Sequence, residues 1–272
     1  MTTTRALDRL APIALGELVA EAALLTRVDR KYTVPRAGLD DLLTSLPVGT
    51  RVLDIDGMRT FAYESVYFDT PDLLSFRMAA RPRRRRFKLR TRAYLDSGTA
   101  YLEMKTRGAR ATTVKDRIEY DPEDRRALTA EARDYAADAL DAIGIPRECA
   151  ADLAPVLTTR YRRATLLQAD GVGRATVDVD LEWDHIEGRR MQLPDLAIVE
   201  TKSTARASEL DRALWRRGHR PASISKYATG LAALDPGLPR NRWTRVLRDA
   251  FEPRIRPTDP QTSEEPPCAA AA

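Results

Sequence analysis

The sequence predicts an α+β protein whose functional part is a mostly antiparallel sheet, and three observations carry that prediction. Segments in which ionic and apolar residues alternate with a period of two recur along the middle of the chain. Turn formers separate them, among them Asp56-Gly57, Asp96-Ser97-Gly98 and Asp170-Gly171-Val172-Gly173. Helical patterns interrupt the series around Pro122 to Ile143, where Ala and Leu recur, and around Ser208 to Arg217.

Taken in order, Ile13 to Leu25 carries Ala, Leu and Glu at helical spacing, which predicts a short amphipathic helix in a lead-in over residues 1–25. The strand-rich stretch over residues 26–252 is the expected main domain. Residues 253–272 are crowded with Pro, Thr, Ser, Glu and Ala; such a composition buries too little apolar area to offset its ordering entropy and predicts a disordered tail. No repeat of fixed period is present. A chain of 272 residues is long enough for an ordinary core.

The charge balance excludes some classes. With Lys plus Arg at 45 against Asp plus Glu at 40, the net charge of +5 is not that of a polycation that coats nucleic acid. Cys149 and Cys268 are too few for a disulfide framework and lack zinc spacing, so a cytoplasmic setting is expected. His185 and His219 form no metal-spaced or triad-like group, which argues against histidine acid–base chemistry. No run near 18 apolar residues and no apolar signal core occur, so direct membrane insertion is not expected.

The run from Arg81 to Arg92 is the most informative segment. Read as a strand, it sends Arg84, Arg86, Lys88, Arg90 and Arg92 to one face and Phe87, Leu89 and Ala93 to the other. The same parity sets Glu103 and Lys105 against Leu102 and Met104, and Lys115 and Arg117 against Val114 and Ile118. It sets Arg174, Asp178, Asp180 and Glu182 against Ala175, Val177, Val179 and Leu181. Any one of these strands also fits a sheet with a solvated face and no function. The acid-x-Lys pattern, present as Asp29-Arg-Lys31, Glu103-Met-Lys105 and Glu200-Thr-Lys202, is more ordered than solubility requires.

If the sheet closes with this face inward, gathered cations repel one another unless an anion enters, because charges removed from water must be paired. The implied ligand is a polyanion. Arg suits phosphate with its planar fork and Lys with a point charge, and inward carboxylates tolerate phosphate when a divalent cation lies between them.

Eight pieces in series carry a family resemblance over roughly Thr26 to Leu234. They are Arg27-Val-Asp-Arg-Lys-Tyr32, Ser65-Val-Tyr-Phe-Asp-Thr-Pro-Asp-Leu73, Lys88-Leu-Arg-Thr-Arg-Ala-Tyr94, Leu102-Glu-Met-Lys105, Val114-Lys-Asp-Arg117, Arg174-Ala-Thr-Val-Asp178, Ile198-Val-Glu-Thr-Lys202 and Ser225-Lys-Tyr227. Together they resemble the vacuolar transporter chaperone (VTC) polyphosphate polymerase domain, a branch of the triphosphate tunnel metalloenzyme, or CYTH-like, superfamily. The resemblance implies a closed, eight-stranded antiparallel β-barrel with flanking helices, whose lumen grips a triphosphate. It implies a phosphate path along Lys31, Lys88, Arg90, Arg92, Lys105, Lys115, Arg117, Arg160, Arg174, Lys202 and Lys226. Lys226, Arg90, Arg92 and Glu200 are the implied catalytic set. Glu200 is the leading metal ligand, Glu103 and Asp178 are further ones, and the metal is Mn²⁺ or Mg²⁺. Asp29 stands where many members carry Glu, and is expected to pair with a nearby base instead. Tyr32, Tyr67, Phe68 and Tyr227 are expected in the core, and Arg83 to Arg86 form either an entrance for polyanions or a solvated loop.

The expected reaction is polyphosphate synthesis from ATP, with ATP or another triphosphate and inorganic polyphosphate as partners. Neither a G-x-x-x-x-G-K-[ST] loop nor a G-x-G-x-x-G turn is present to suggest another nucleotide fold. A triphosphatase uses the same residues, and a noncatalytic polyphosphate or nucleotide sensor keeps the basic rows, so both stay open. RNA binding ranks last, because aromatics are only 6% of the chain and sit at apolar-looking positions. The sequence sets no oligomeric state.

Overall fold

A computed structural model describes residues 3–21, 28–107, 113–171, 173–204 and 206–254. Eleven strands form one sheet among the described residues: β1 (Ala11–Ile13), β2 (Val28–Pro35), β3 (Arg51–Leu53), β4 (Phe61–Asp69), β5 (Arg86–Tyr94), β6 (Thr99–Arg107), β7 (Thr113–Tyr120), β8 (Ala154–Leu167), β9 (Arg174–His185), β10 (Arg190–Leu193) and β11 (Leu196–Ser203). Eight of them pair in the antiparallel path β2-β11-β9-β8-β4-β5-β6-β7. The short β1 pairs parallel with β3, which joins β8, and β10 extends β9.

The expected turns take the backbone their residues favour. Asp56 and Gly57 both have positive φ, 52° and 79°, the geometry of a two-residue hairpin turn, and Ile55 and Met58 bridge across it. Gly98, at φ 65°, reverses the chain between β5 and β6.

Helices pack on both faces of the sheet, among them α1 (Thr3–Asp8), α2 (Leu15–Glu21) and α4 (Leu74–Ala80). α3 (Leu39–Thr44) and α6 (Glu209–Arg216) bury leucines in a core with Tyr32, Val34, Val177, Val179 and Val199. α5 (Ala130–Asp141) buries Ala132, Ala136 and Leu140 against Phe68, Leu89, Leu102 and Met104. A third core gathers Tyr67, Tyr161, Leu181, Trp183 and Ile198 around α7 (Lys226–Leu234) and the helical stretch over residues 241–254.

Several expectations need correction. The helix expected over 122–143 begins only at Ala130: Asp121 turns the chain by accepting the Glu123 N–H, and Thr129 caps the helix by accepting from the Ala132 N–H. The helix expected around 208–217, by contrast, is found as α6, opened by a capping box between Ser208 and Asp211. At the N-terminus Ile13 is in β1, and the helix runs Leu15–Glu21; residues 22–25 lie outside the described residues. Glu252–Arg254 form a 3-10 turn, so the expected tail loses its first two residues to structure, and 255–272 lie outside the described residues.

Of the expected barrel, the structure shows the large antiparallel sheet and its flanking helices. Among the described residues no pairing joins β2 to β7, so the eight-stranded path curls without closing through hydrogen bonds. At the edge of β2 the Lys31 carbonyl accepts the Ala222 N–H at 2.8 Å, so the loop before α7 bonds there. The single ionic face expected from Arg174 to Glu182 also fails. β9 carries one extra residue opposite Arg160 to Arg162, and Asp180 there takes a φ of 52°. Val177 and Val179 therefore enter the outer core, Leu181 and Trp183 the inner one, and Asp180 turns out to pair with Arg36 at 2.6 Å.

Candidate functional site

The curl of the sheet brings the ionic faces of β2, β5, β6, β7 and β11 around one cavity of about 540 Å³. Its walls carry nine basic side chains, Lys31, Lys88, Arg90, Arg92, Lys105, Lys115, Arg163, Lys202 and Lys226, against three acidic ones, Asp29, Glu103 and Glu200. Strand register sets this composition: Lys88 lies opposite Lys105, Arg90 opposite Glu103, Glu200 opposite Lys31 and Lys202 opposite Asp29. A second cavity of about 240 Å³ shares Lys31, Lys88 and Lys105 and adds Arg86, Arg107 and Arg242. The lumen thus continues from the Arg92 end of β5 to its Arg86 end.

Three carboxylates organise the cations. Glu103, 2% exposed, accepts from Arg90 Nε at 2.8 Å and Nη2 at 2.5 Å and from Lys115 Nζ at 2.8 Å, with Arg92 at 3.8 Å. Burial disfavours its charge, but Arg90, Arg92 and Lys115 outweigh burial and hold it ionised far below the usual carboxylate range. Asp178, behind the cavity wall, accepts from Arg163 Nε at 2.6 Å and Nη2 at 2.8 Å and also from Lys226 Nζ. Arg163 and Lys226 likewise outweigh its burial and keep it ionised.

Glu200 differs from both. Against the penalty of burial, Lys31, Lys202 and Arg163 hold its pKa at about 2, yet Lys202 Nζ stands 3.7 Å away and no side-chain hydrogen bond reaches it among the described residues. It is an ionised carboxylate with open lone pairs facing the lumen. No cluster of three His, Cys, Asp or Glu residues is present among the described residues. A divalent ion of the Mg²⁺ type needs only one or two carboxylates when phosphate and water supply the rest, so Glu200 fits such an ion and the saturated Glu103 and Asp178 fit it less well.

The cations are under-compensated. Lys88 has no ion pair among the described residues, and its pKa falls well below the ordinary lysine range through burial and through Arg90, Lys31, Lys105 and Arg92. Burial and Lys31 lower Lys105, although Asp29 and Glu200 pull the other way. Burial also lowers Lys115, against the pull of Glu103. A cavity whose own carboxylates cannot neutralise its cations is complementary to an anion bearing several charges.

The family profile of the VTC domain matches residues 26–235. The chain belongs to the VTC domain family. No curated protein matches the chain. Among solved structures, a candidate adenylyl cyclase from Hippeastrum, described as revealing a dominant triphosphatase activity, is 16% identical with a TM-score of 0.48, over 80% of this chain and 100% of its own. A candidate adenylate cyclase from Bacillus halodurans is 15% identical with a TM-score of 0.42, over 86% and 94%. No helix among the described residues is long and apolar enough to cross a membrane.

Within this VTC domain some residues of the implied phosphate path lie away from the cavity. Arg160 is on the opposite face of β8, where its Nε donates to Glu64 at 2.8 Å and its guanidinium also reaches Asp184. Arg117 stacks on the Tyr101 ring at 4.5 Å. Arg174 donates to the Leu18 carbonyl at 2.9 Å at the far end of β9. One lumen residue and a core residue beside it escaped the sequence reading. Arg163 grips Asp178, and Tyr161, 3% exposed, has a hydroxyl with no hydrogen-bond partner among the described residues. Its ring lies 4.2 Å from Lys226 Nζ and 5.2 Å from the Arg163 guanidinium carbon. Burial raises the phenol's pKa, but Arg92, Arg163 and Lys226 bring it below its ordinary range. The signal was parity: Tyr161 and Arg163 alternate with Arg160 and Arg162.

The tyrosines hold the frame. Tyr67 lines the lumen and accepts from Arg90 Nη1 at 3.1 Å. Buried Tyr227 stacks on Tyr67 at 5.1 Å and donates to Asp69, which also accepts the N–H groups of Thr70, Ser75 and Phe76. Tyr32 donates to Asp211 at 2.7 Å, and Phe68 is buried against α5.

Proposed function

We propose that this VTC domain transfers phosphoryl groups on a triphosphate or polyphosphate held in its lumen, and that the reaction is polyphosphate synthesis from ATP. The observation that carries the reading is the lumen's excess of cations, with Lys88 at the junction of its two cavities and without an ion pair among the described residues. In this reading the eight paired strands act as a closed tunnel around the bound chain.

The phosphates of ATP lie along Lys88, Arg90 and Arg92, with Lys226 and Arg163 at their side. A terminal oxygen of the growing chain attacks the γ-phosphorus in line. The new P–O bond forms as the bond to the β–γ bridging oxygen breaks, and the nucleoside diphosphate leaves with the electron pair. The attacking oxygen is already anionic, so no protein base is needed. Arg90, Arg92 and Arg163 are pre-oriented by Glu103 and Asp178 and stabilise the charge that develops on the transferred group. Glu200 is the residue that would hold Mn²⁺ or Mg²⁺, and the bound ion would supply charge neutralisation at the phosphates.

The test is incubation of the purified chain with ATP and Mn²⁺ or Mg²⁺, with products resolved by gel and phosphorus NMR beside Lys226→Ala and Glu200→Gln. Phosphate chains that disappear in both variants support the polymerase. Orthophosphate without chains means a triphosphatase, and tight polyphosphate binding without turnover means a sensor.

A further inference from the structure

Outside the lumen, a cleft of about 380 Å³ lies between the loop before α7 and the helical stretch over 241–254. His219, Arg220, Ser223, Arg242, Arg245 and Asp249 are among its walls. Ser223 and Arg242 also line the second lumen cavity, so the two spaces meet at this pair. Arg242 is fixed at the junction by Nε donating to Ser223 Oγ at 3.2 Å and Nη1 donating to the Ala79 carbonyl at 2.8 Å. Arg220 is fixed by the Trp215 carbonyl at 2.7 Å. Neutral carbonyl and hydroxyl partners orient a guanidinium without cancelling its charge. The cleft's carboxylate, Asp249, is already shared by Arg248 at 2.7 Å and Arg245 at 3.6 Å. The cleft therefore carries net positive charge, next to the lumen end where Arg86 and Arg107 add more.

The lengths agree with a continuous track. From Arg92 to Arg86 the ionic face of β5 spans roughly 20 Å at strand rise, more than a triphosphate covers. A chain that fills this row emerges at Arg242.

We propose that the outer cleft is a second anion-binding site that takes the part of a polyphosphate chain too long for the lumen, guiding it past Arg242 to Arg220 and Arg245. This deepens the lumen reading and rests on it. The site selects by chain length: a triphosphate is satisfied inside, whereas a long chain gains the outer contacts as well.

The experiment measures the affinities of triphosphate and of long-chain polyphosphate by calorimetry at fixed salt, for the whole chain, for Arg245→Ser and for Arg220→Ser/Arg245→Ser. Arg245, with a side chain 86% exposed, is replaced without risk to the fold. Long chains are expected to bind the unaltered protein at least about tenfold more tightly than triphosphate, since each charge-assisted contact contributes on that order. The ratio of the two affinities is expected to fall in Arg245→Ser and to fall further in the double variant. A ratio near one in the unaltered protein, or a ratio that the double variant leaves unchanged, overturns the outer site. Lys88→Met separates this from failure of the lumen reading: if it leaves triphosphate affinity untouched, the lumen reading itself fails.

Discussion

Asp178 receives the Arg163 guanidinium through two parallel hydrogen bonds, Nε to Oδ1 at 2.6 Å and Nη2 to Oδ2 at 2.8 Å. Lys226 shares the same carboxylate, which is 1% exposed. Asp178→Asn strands two cations, and breaking a buried pair from one side costs about 3–5 kcal/mol. Urea unfolding is expected to show that loss. Triphosphate is expected to recover part of it, because an entering anion supplies the missing charge. The thermal shift on adding triphosphate is therefore larger for Asp178→Asn than for the unaltered protein, and an equal shift contradicts the placement of Arg163 and Lys226 at the ligand.

Lys88 is the opposite case, a cation without a carboxylate partner among the described residues. Lys88→Met keeps the length of the side chain and removes the charge. The ligand-free protein is expected to gain about 1 kcal/mol, since replacing a buried charge by an apolar group of similar volume is neutral or stabilising. Triphosphate affinity is expected to fall about tenfold or more through loss of a charge-assisted contact. Paired denaturation and calorimetry show the two effects with opposite signs.

Acid lability follows from Glu200. Its pKa falls from an ordinary 4.5 to about 2 in the folded chain. For a carboxylate lowered in this way, the stabilisation is fully present above the unfolded value and is lost as pH falls through the folded one. The loss is confined to the window between 4.5 and about 2 and amounts to about 3 kcal/mol at most. Glu200→Gln is expected to flatten the stability profile across that window, measured by denaturant midpoints at successive pH values.

The alternation in β5 and β6 was legible because these strands are regular: Lys88, Arg90 and Arg92 face one side while Phe87 and Leu89 are buried on the other. It was legible in β11 for the same reason, through Glu200 and Lys202. It failed where one residue breaks the period. Asp180 in a left-handed conformation is a bulge that no alternation rule anticipates, and it separates Val179 from Leu181 into different cores. The neighbour of the β2 edge was beyond a local pattern as well, because the backbone N–H that meets it is nearly 200 positions away. The helix α7, whose first residue is Lys226, was missed; its sequence KYATGLAAL is short and apolar on most sides, and it is fixed by Trp183 Nε1 donating to the Lys226 carbonyl at 2.7 Å.

Parity also decides between two arginines on one strand. Arg160 faces outward to Glu64 and Asp184, and Arg163 faces the lumen and Asp178. The bidentate pair with Asp178 sets Arg163 for a phosphate, whereas Arg160 neutralises a carboxylate that is 4% exposed. Arg160→Ala still leaves Glu64 with Arg125 at 3.0 Å, so its expected cost is about 1–3 kcal/mol of stability with little change in KM. Arg163→Ala is expected to weaken triphosphate binding about tenfold or more and to lower turnover, because its guanidinium is presented to the ligand. Steady-state kinetics beside urea unfolding separate the two. If Arg160→Ala raises KM as much as Arg163→Ala does, the inward and outward faces of β8 have been assigned the wrong way round.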